Sequence, residues 1–201
     1  MKIIGLCGGS GSGKGAVCTC FSKLGVPSVD TDAVYREITS GEGECMSALI
    51  SAFGSEIAFA DGSLNRKKLA SIVFSGDGNQ QRRATLNKIS HKFILDETRK
   101  RFSEYESKGY TMAIIDAPLL FESGFDKECY KIICVVADRN VRIKRIMERD
   151  NLTKGEAEMR IRSQKNDEEL TALCDFVIEN NGDYSSLASE VERVKKLLES
   201  N

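Results

Sequence analysis

A glycine-rich segment near the start of the chain carries the most specific chemical signal. Residues 8–14 read Gly-Gly-Ser-Gly-Ser-Gly-Lys, which is the G-x-x-x-x-G-K spacing of a P-loop. An apolar run precedes it and a helical pattern of apolar residues follows it, which is the context that this motif requires. Backbone N–H groups of such a loop cradle phosphate oxygens, and the start of the helix adds its positive dipole end. A flexible glycine turn is the alternative, and the specificity of the spacing disfavours it.

The predicted phosphate contacts extend from the loop into the first turn of the helix. Lys14 is expected to reach the β- and γ-phosphates of a nucleoside triphosphate. The residues predicted to bind the nucleotide here are Gly9, Ser10, Gly11, Ser12, Gly13, Lys14, Gly15 and Ala16. The motif ordinarily continues with Ser or Thr, whose hydroxyl binds Mg²⁺, but Gly15 and Ala16 have no side-chain oxygen. Phosphate binding is therefore expected to survive, whereas direct metal ligation by the loop is not.

Two aspartate clusters follow predicted strands. Asp30-Thr31-Asp32 closes the second strand, and alternation along an extended strand predicts that Asp30 and Asp32 point the same way. Asp32 could then accept the proton of an acceptor hydroxyl or help to hold a metal ion. The alternative is a solvated loop that caps the next helix. Asp116 ends the apolar strand of residues 112–115, which is typical of a Walker B aspartate that positions Mg²⁺ through water. A strand-terminal turn is its alternative.

An arginine-rich segment follows the fourth predicted strand. Arg142, Arg145 and Arg149 share one face of a predicted helix, and Thr153 with Glu156 forms a capping box that opens a second helix. Such a hairpin beside a P-loop indicates a lid that brings an arginine onto the transferred phosphoryl group. For any single arginine a solvated face remains the alternative, but we expect Arg145 or Arg149 to act on the nucleotide.

Three further polar residues are candidates for ligand contacts. Arg66 could bind the phosphate or ribose of the acceptor, or be a surface charge at a helix start. His91 is the only histidine, and it either contacts substrate or is structural. Asn180 follows the last predicted strand and either reaches the adenine or forms a turn.

The pattern of strands and helices predicts an α/β fold. Apolar strands separated by helices indicate a parallel sheet covered on both faces, here with five strands flanked by helices. We expect one domain with a core of residues 1–39, 109–137 and 166–201, a helical insertion of residues 40–108 and an arginine-rich lid of residues 138–165. Ligands of such sheets bind at the carboxyl ends of the strands, where the P-loop and both aspartate clusters fall.

Composition limits the kinds of partner. The 201 residues carry a net charge of −1, so no overall positive field attracts nucleic acid, and no apolar stretch approaches membrane length. The seven cysteines contain no C-x-x-C pair, and we interpret them as buried reduced thiols rather than zinc ligands. With no signal peptide in the sequence, we expect a cytoplasmic protein, monomeric or weakly homo-oligomeric, without a nucleic-acid or membrane partner.

Taken together, these segments resemble the dephospho-coenzyme A kinase family over nearly the whole chain. The resemblance is greatest at residues 116–122, Asp-Ala-Pro-Leu-Leu-Phe-Glu. The other matching segments are residues 4–14, 24–32, 64–66, 73–74, 89–91, 142–149, 160–164 and 175–180. Two departures are Gly15, where the family has Ser or Thr, and Lys92, where it usually has proline.

The resemblance implies a P-loop kinase fold with a helical coenzyme A-binding insertion and a helical lid. It implies that ATP, with Mg²⁺, phosphorylates the ribose 3′-hydroxyl of dephospho-coenzyme A. It also implies Asp32 as the base, Lys14, Arg66 and Arg145 as catalytic ligands of the phosphates, and Asn180 near the adenine. Arg149 would join the nucleotide site. The substrate would contact Asp32, Arg66, His91, Pro118 and Leu119.

Two other functions stay open at this point. A non-catalytic relative could bind nucleotide or coenzyme A as a sensor, and the intact Lys14, Asp32 and Asp116 argue against it. A kinase for another small nucleotide-like acceptor is the second alternative, which the Pro-Leu-Leu-Phe-Glu segment disfavours.

Overall fold

A five-stranded parallel sheet forms the centre of the fold. The computed structural model describes residues 1–200 and places the strands in the order β2-β3-β1-β4-β5. Their bounds are β1 Lys2–Cys7, β2 Ser28–Asp30, β3 Met112–Asp116, β4 Lys131–Val136 and β5 Phe176–Glu179. The near-continuous apolar sequences of β1, β3 and β4 suit strands that are buried on both faces. The predicted α/β class and the parallel sheet are confirmed.

Nine α-helices connect and cover these strands within residues 1–200. They are α1 Lys14–Lys23, α2 Thr31–Ile38, α3 Glu44–Phe53, α4 Arg66–Phe74, α5 Asn79–Ser107, α6 Arg139–Asp150, α7 Lys154–Arg162, α8 Asp167–Thr171 and α9 Tyr184–Ser200. Local sequence features set several helix ends: Asn65 caps α4, Gly54 ends α3, and the predicted capping box of Thr153 and Glu156 opens α7. None of these helices is long and apolar enough to cross a membrane.

The chain divides into two compact units. The first contains Met1–Val29 and the chain from Tyr105 onward. One face of its sheet packs α1 and α9 into a core that includes Ile4, Leu6, Phe21, Ile133 and Val191, all fully buried. On the other side α8 contacts β4. This unit therefore holds the P-loop, which joins β1 to α1, on a well-packed base.

The second unit, Asp30–Glu104, is helical and has a core of its own. Its buried residues come from α3, α4 and the segment between them: Cys45, Met46, Leu49, Ile57, Leu64, Leu69 and Val73. Side chains of α5, including Leu86, Ile89 and Phe93, pack against that core. Helices α3, α4 and α5 fall within residues 40–108, the predicted helical insertion, and the role of that insertion in coenzyme A binding stays a prediction.

One local prediction is wrong. Asp30 and Asp32 do not alternate along one extended strand, because β2 ends at Asp30 and α2 begins at Thr31. Asp30 is the N-cap of α2, and its carboxylate accepts hydrogen bonds from the backbone N–H groups of Asp32 and Ala33 at 2.8 and 3.1 Å. The helix-capping alternative holds for Asp30, since an aspartate before a helical segment satisfies its first N–H groups. Asp32 lies in the first turn with an exposed side chain.

Candidate active site

The phosphate loop adopts a conformation that depends on glycine. Gly13, the N-cap of α1, has a φ of 95°, and Gly11 has a φ of 80°, both in the left-handed region that side chains rarely adopt. A Cβ atom at Gly13 would lie 2.1 Å from Nδ2 of Asn180, and one at Gly11 would lie 2.7 Å from the backbone oxygen of Arg142. Both the backbone angles and the lack of space therefore exclude larger residues from these positions.

Arg142 anchors the outer side of this loop. Its side chain is only 5% exposed. Its Nε donates to the carbonyl oxygen of Ser10 at 2.9 Å, and its Nη1 donates to both carboxylate oxygens of Asp167 at 2.9 and 3.1 Å. Two different guanidinium nitrogens are thus bonded, Nη1 to the carboxylate and Nε to the loop, and these charge-assisted hydrogen bonds fix the orientation of the group. Arg142 thus links the loop to the start of α8, where Asp167 lies.

Asn180 and Arg145 bind the next two carbonyl groups of the loop. The buried Asn180 donates from Nδ2 to the carbonyl oxygen of Ser12 at 2.8 Å. Arg145 donates from Nη1 to the carbonyl oxygens of Gly11 and Ser12, each at 3.3 Å, and from Nη2 to Oδ1 of Asn180 at 3.4 Å. Side-chain donors thus bind three consecutive loop carbonyls, those of residues 10–12, while the N–H groups of Lys14 and Gly15 lie in the first turn of α1 and have no intrahelical acceptor. The loop is therefore arranged to receive an anion on its N–H side.

Lys14 and Arg149 add positive charge around the loop. Lys14 Nζ donates to the carbonyl oxygen of Gly8 at 3.1 Å, which folds its side chain back over the loop. Arg149 is exposed, and its Nη2 lies 3.5 Å from the hydroxyl of Ser10, at the outer limit for a hydrogen bond. Arg149 pairs instead with Asp150, and this pair raises the pKa of Arg149 and lowers that of Asp150. Of the two arginines predicted to act on the nucleotide, Arg145 is the one held against the loop.

Asp116 ends β3 beside the strand that leads into the loop. It pairs in register with Leu6 of β1, two residues before Gly8. Its Oδ2 lies 3.9 Å from Sγ of Cys18 on α1, so the carboxylate faces the helix that carries Lys14. A carboxylate oxygen is a ligand that Mg²⁺ accepts.

The position after Lys14 has room for a larger side chain. A Cβ atom on Gly15 would meet nothing within 4 Å.

Pro118 and Leu119 follow Asp116 and are exposed. Leu119 keeps 48% of its surface accessible. Their predicted contact with substrate stays a prediction that this exposure allows.

Within the second unit, Arg66 is positioned by its neighbours. It is the first residue of α4, its Nη2 donates to the hydroxyl of Thr39 at 2.9 Å, and its guanidinium lies 5.8 Å from the ring centre of Tyr35. Burial raises the pKa of the Tyr35 hydroxyl, so this ring stays neutral beside the arginine. His91 lies on α5 and is partly buried. The catalytic and substrate-binding roles of Asp32, Arg66 and His91 stay predictions.

Sequence reasoning missed the structural roles of Arg142 and Asn180. Arg142 was assigned only to a lid face, whereas it is buried against the loop, and the amide of Asn180 binds the loop in place of a simple turn role. Gln164 was also missed, although its Oε1 accepts the N–H of Ser10 at 2.8 Å. The only sequence feature that pointed to the contact of Arg142 with the loop was its position near the start of the predicted arginine-bearing helix.

A thiol cluster behind the loop was missed as well. Cys7, Cys134 and Cys174 lie together, although nearly 170 positions separate the first from the last. Hydrogen bonds with Cys174 and Cys7, together with the charges of Lys14 and Arg142, lower the pKa of Cys134 to about 4. All seven cysteines are free, but Cys18, Cys129 and Cys174 are only partly buried, which corrects the prediction of buried thiols throughout.

A parallel five-stranded sheet with a phosphate loop opening α1 and arginines on α6 defines a P-loop kinase. Among solved structures, a protein from Thermus thermophilus has a TM-score of 0.81 at 28% identity, with 98% of this chain and 97% of that chain covered. A dephospho-CoA kinase from Campylobacter jejuni has a TM-score of 0.70 at 24% identity, with 98% of each chain covered, and it shares the fold.

The sequence comparisons then identify the family. A family model described as dephospho-CoA kinase matches residues 2–186. A dephospho-CoA kinase from Listeria monocytogenes is 38% identical over 193 residues, which cover 94% of each protein. The chain therefore belongs to the dephospho-CoA kinase family, and dephospho-CoA kinase activity is the function that this membership assigns.

Proposed function

We propose that this chain transfers the γ-phosphoryl group of ATP to the ribose 3′-hydroxyl of dephospho-coenzyme A, giving coenzyme A and ADP. The observation that carries the proposal is the phosphate loop, held open by Arg142, Arg145 and Asn180, in a chain that matches the family along nearly its whole length. Phosphoryl transfer needs little covalent chemistry from the protein, so catalysis rests on positioning and electrostatic stabilisation. A loop whose carbonyls are bound by buried side chains, with Lys14 and Arg145 against it, suits that requirement.

The proposed roles divide between nucleotide and acceptor. Residues 9–16 bind the phosphates of ATP, and Lys14 stabilises charge on the transferred group. Arg145 would move from loop carbonyls to phosphate oxygens when the nucleotide binds, while Arg149 approaches from the exposed end of α6. On the acceptor side, Asp32 accepts the proton of the 3′-hydroxyl. Its exposed carboxylate is available for this because Asp30 serves as the helix cap.

Two further features support this division. Arg66, oriented by Thr39 and Tyr35, offers a planar group for the phosphate of the acceptor, and His91, Pro118 and Leu119 are proposed to contact its remaining parts. The side-chain amide of Asn180 is hydrogen-bonded to the phosphate loop. Its proposed contact with the adenine would therefore have to be made while the amide stays at the loop.

Mg²⁺ is the proposed metal cofactor, and the residues present fit an indirectly held ion. Asp116 supplies a carboxylate for water-mediated binding, Asp32 is a further candidate, and Gly15 supplies no ligand. An ion held by these residues would supply positive charge to offset the negative charge that develops on the transferred phosphoryl group. We further propose a cytoplasmic enzyme that is monomeric or weakly homo-oligomeric.

A steady-state assay with an acceptor panel tests the proposal. ADP release from ATP and Mg²⁺ should depend on dephospho-coenzyme A, and the product should be phosphorylated at the 3′-position. Turnover of a nucleoside monophosphate in preference to dephospho-coenzyme A would instead indicate the alternative kinase. Nucleotide and dephospho-coenzyme A binding without turnover would indicate a non-catalytic relative, and either result overturns the proposal.

A further inference from the structure

Three cysteines from distant parts of the sequence meet on one side of the sheet. Cys7 ends β1, Cys134 lies within β4, and Cys174 lies two residues before β5. Their sulfur atoms all lie within 4.8 Å of one another, and Cys7 Sγ is 3.4 Å from Cys174 Sγ. No other group of three or more Cys, His, Asp or Glu side chains in residues 1–200 meets the same distance criterion.

The backbone holds these thiols in place. Cys7 and Cys134 are register partners on adjacent parallel strands, and both are buried. They lie on the opposite face from the core of α1 and α9, whose members on the same strands are Ile4, Leu6, Ile133 and Val135. Cys174 is fixed because the next residue, Asp175, donates its N–H to the carbonyl oxygen of Ile132 and accepts the N–H of Ile132. The cluster is therefore built by the sheet, with no flexible loop required to close it.

We propose that Cys7, Cys134 and Cys174 bind one thiophilic d10 metal ion, Cu(I) or Zn²⁺, at a site separate from the nucleotide. Thiolate is the ligand type that these ions prefer. With metal–sulfur bonds of about 2.3 Å, sulfur atoms in a three-thiolate site lie roughly 3.8–4.0 Å apart. The sulfur atoms observed here span 3.4 to at most 4.8 Å, so small side-chain rotations would bring all three into that range.

This site escapes the sequence rules because its ligands come from two strands and from the segment just before a third. Zinc motifs are recognised by ligands two to four positions apart, whereas these cysteines belong to three segments that only the folded sheet brings together. A bound ion would join the end of β1, the middle of β4 and the start of β5. Since Cys7 directly precedes Gly8, the ion would also fix the point where the phosphate loop begins.

A disulfide between Cys7 and Cys174 is the main competing use of these thiols. It would require an oxidant, would shorten the sulfur–sulfur distance from 3.4 Å to about 2.05 Å, and would leave Cys134 outside the bond. Metal binding uses all three sulfur atoms, which is why we favour it.

Anaerobic metal titrations of the reduced, full-length chain test this proposal. Zn²⁺ and Cu(I) are titrated separately, each against a chromophoric chelator of that ion, and Cd²⁺ provides a sulfur-to-metal charge-transfer band in the ultraviolet. We expect one ion per chain for Cd²⁺ and for at least one of the two native candidates, and a higher melting temperature in the metal-bound form. Separate serine substitutions at positions 7, 134 and 174 should each weaken binding by more than ~10-fold, the minimum expected from loss of a direct ligand.

Two buried cysteines outside the cluster provide matched controls. Cys20→Ser and Cys45→Ser change thiols that are each 3% exposed, and they should leave the affinity and the Cd²⁺ band unchanged. The partly buried Cys174 offers the cluster variant least expected to disturb folding, and metal-free melting curves identify any variant that is merely unfolded. Absence of stoichiometric binding by the wild type, equal losses in the control variants, or a disulfide forming in place of metal binding would each overturn the proposal.

Discussion

The phosphate loop and the proposed acceptor residues differ in how the protein holds them. The loop lies in the first compact unit and is bound from outside by Arg142 and Asn180, each only 5% exposed. Asp32 and Arg66 belong to the second unit, where they are exposed side chains in the first turns of short helices. Phosphate binding by the loop is therefore expected to depend on a backbone conformation that buried side chains hold in place. Binding of the acceptor substrate is expected to depend on direct contacts of the Asp32 and Arg66 side chains. Substitutions should separate these two kinds of dependence.

Asp32→Asn should give the largest difference between an effect on turnover and an effect on nucleotide binding. If Asp32 is the base, kcat should fall by on the order of 10²–10⁴-fold, the usual contribution of a positioned proton acceptor. ADP binding, measured by calorimetry, should stay unchanged because the loop is intact. Asp30→Asn is the matched control, since asparagine also caps helices and turnover should persist. Near-normal turnover in the Asp32 variant would remove this residue as the base.

Lys14→Ala should affect both binding and rate. Loss of a charged donor to the transferred group is expected to lower kcat by on the order of 10²–10³-fold and to weaken ATP binding. Lys23→Ala, at the other end of the same helix, is the control: Lys23 lies 4.7 Å from the ring centre of Tyr184, far along α1 from the loop. An unchanged rate in the Lys14 variant, measured with saturating acceptor, would contradict the phosphate-binding role.

Arg142→Lys tests whether Arg142 supports nucleotide binding indirectly, by holding the phosphate loop in its observed conformation. Lysine cannot reproduce the two hydrogen bonds to Asp167 together with the one to Ser10, so we expect a loss of ~1–3 kcal/mol in unfolding free energy. Nucleotide binding should weaken in parallel. Arg149→Lys changes an exposed arginine on the same helix face, and its effect on stability should stay within ~0.5 kcal/mol. Denaturant unfolding measures both, and equal effects would refute the distinction between the two arginines.

The features that the sequence predicts correctly are those formed by residues close together along the chain. The phosphate loop, Asp116 at the end of β3 and the capping of α4 and α7 are local patterns, so spacing alone indicates them. The hydrogen bond from Arg142 to Ser10 joins positions 132 apart, and the thiol cluster joins β1, β4 and the segment before β5; only the folded sheet creates such contacts. Asp30 shows a local failure, because a strand-terminal aspartate and a helix cap share the same residue type and only the turn after β2 decides between them.

Gly15→Ser restores the side-chain oxygen that the phosphate loop lacks at this position. A hydroxyl at this position would supply the direct Mg²⁺ ligand that the loop lacks, and the structure leaves room for it, since a Cβ atom there meets nothing within 4 Å. We expect the Mg²⁺ concentration for half-maximal activity to fall by up to ~10-fold, at the low end of the effects seen when a metal environment changes. Gly15→Ala is the matched control, because it adds the Cβ without the oxygen and should leave the Mg²⁺ requirement unchanged. If serine and alanine give the same Mg²⁺ dependence as glycine, then the ion is held without any need for this position, and the nucleotide, water and the carboxylates of Asp116 or Asp32 would have to supply its ligands.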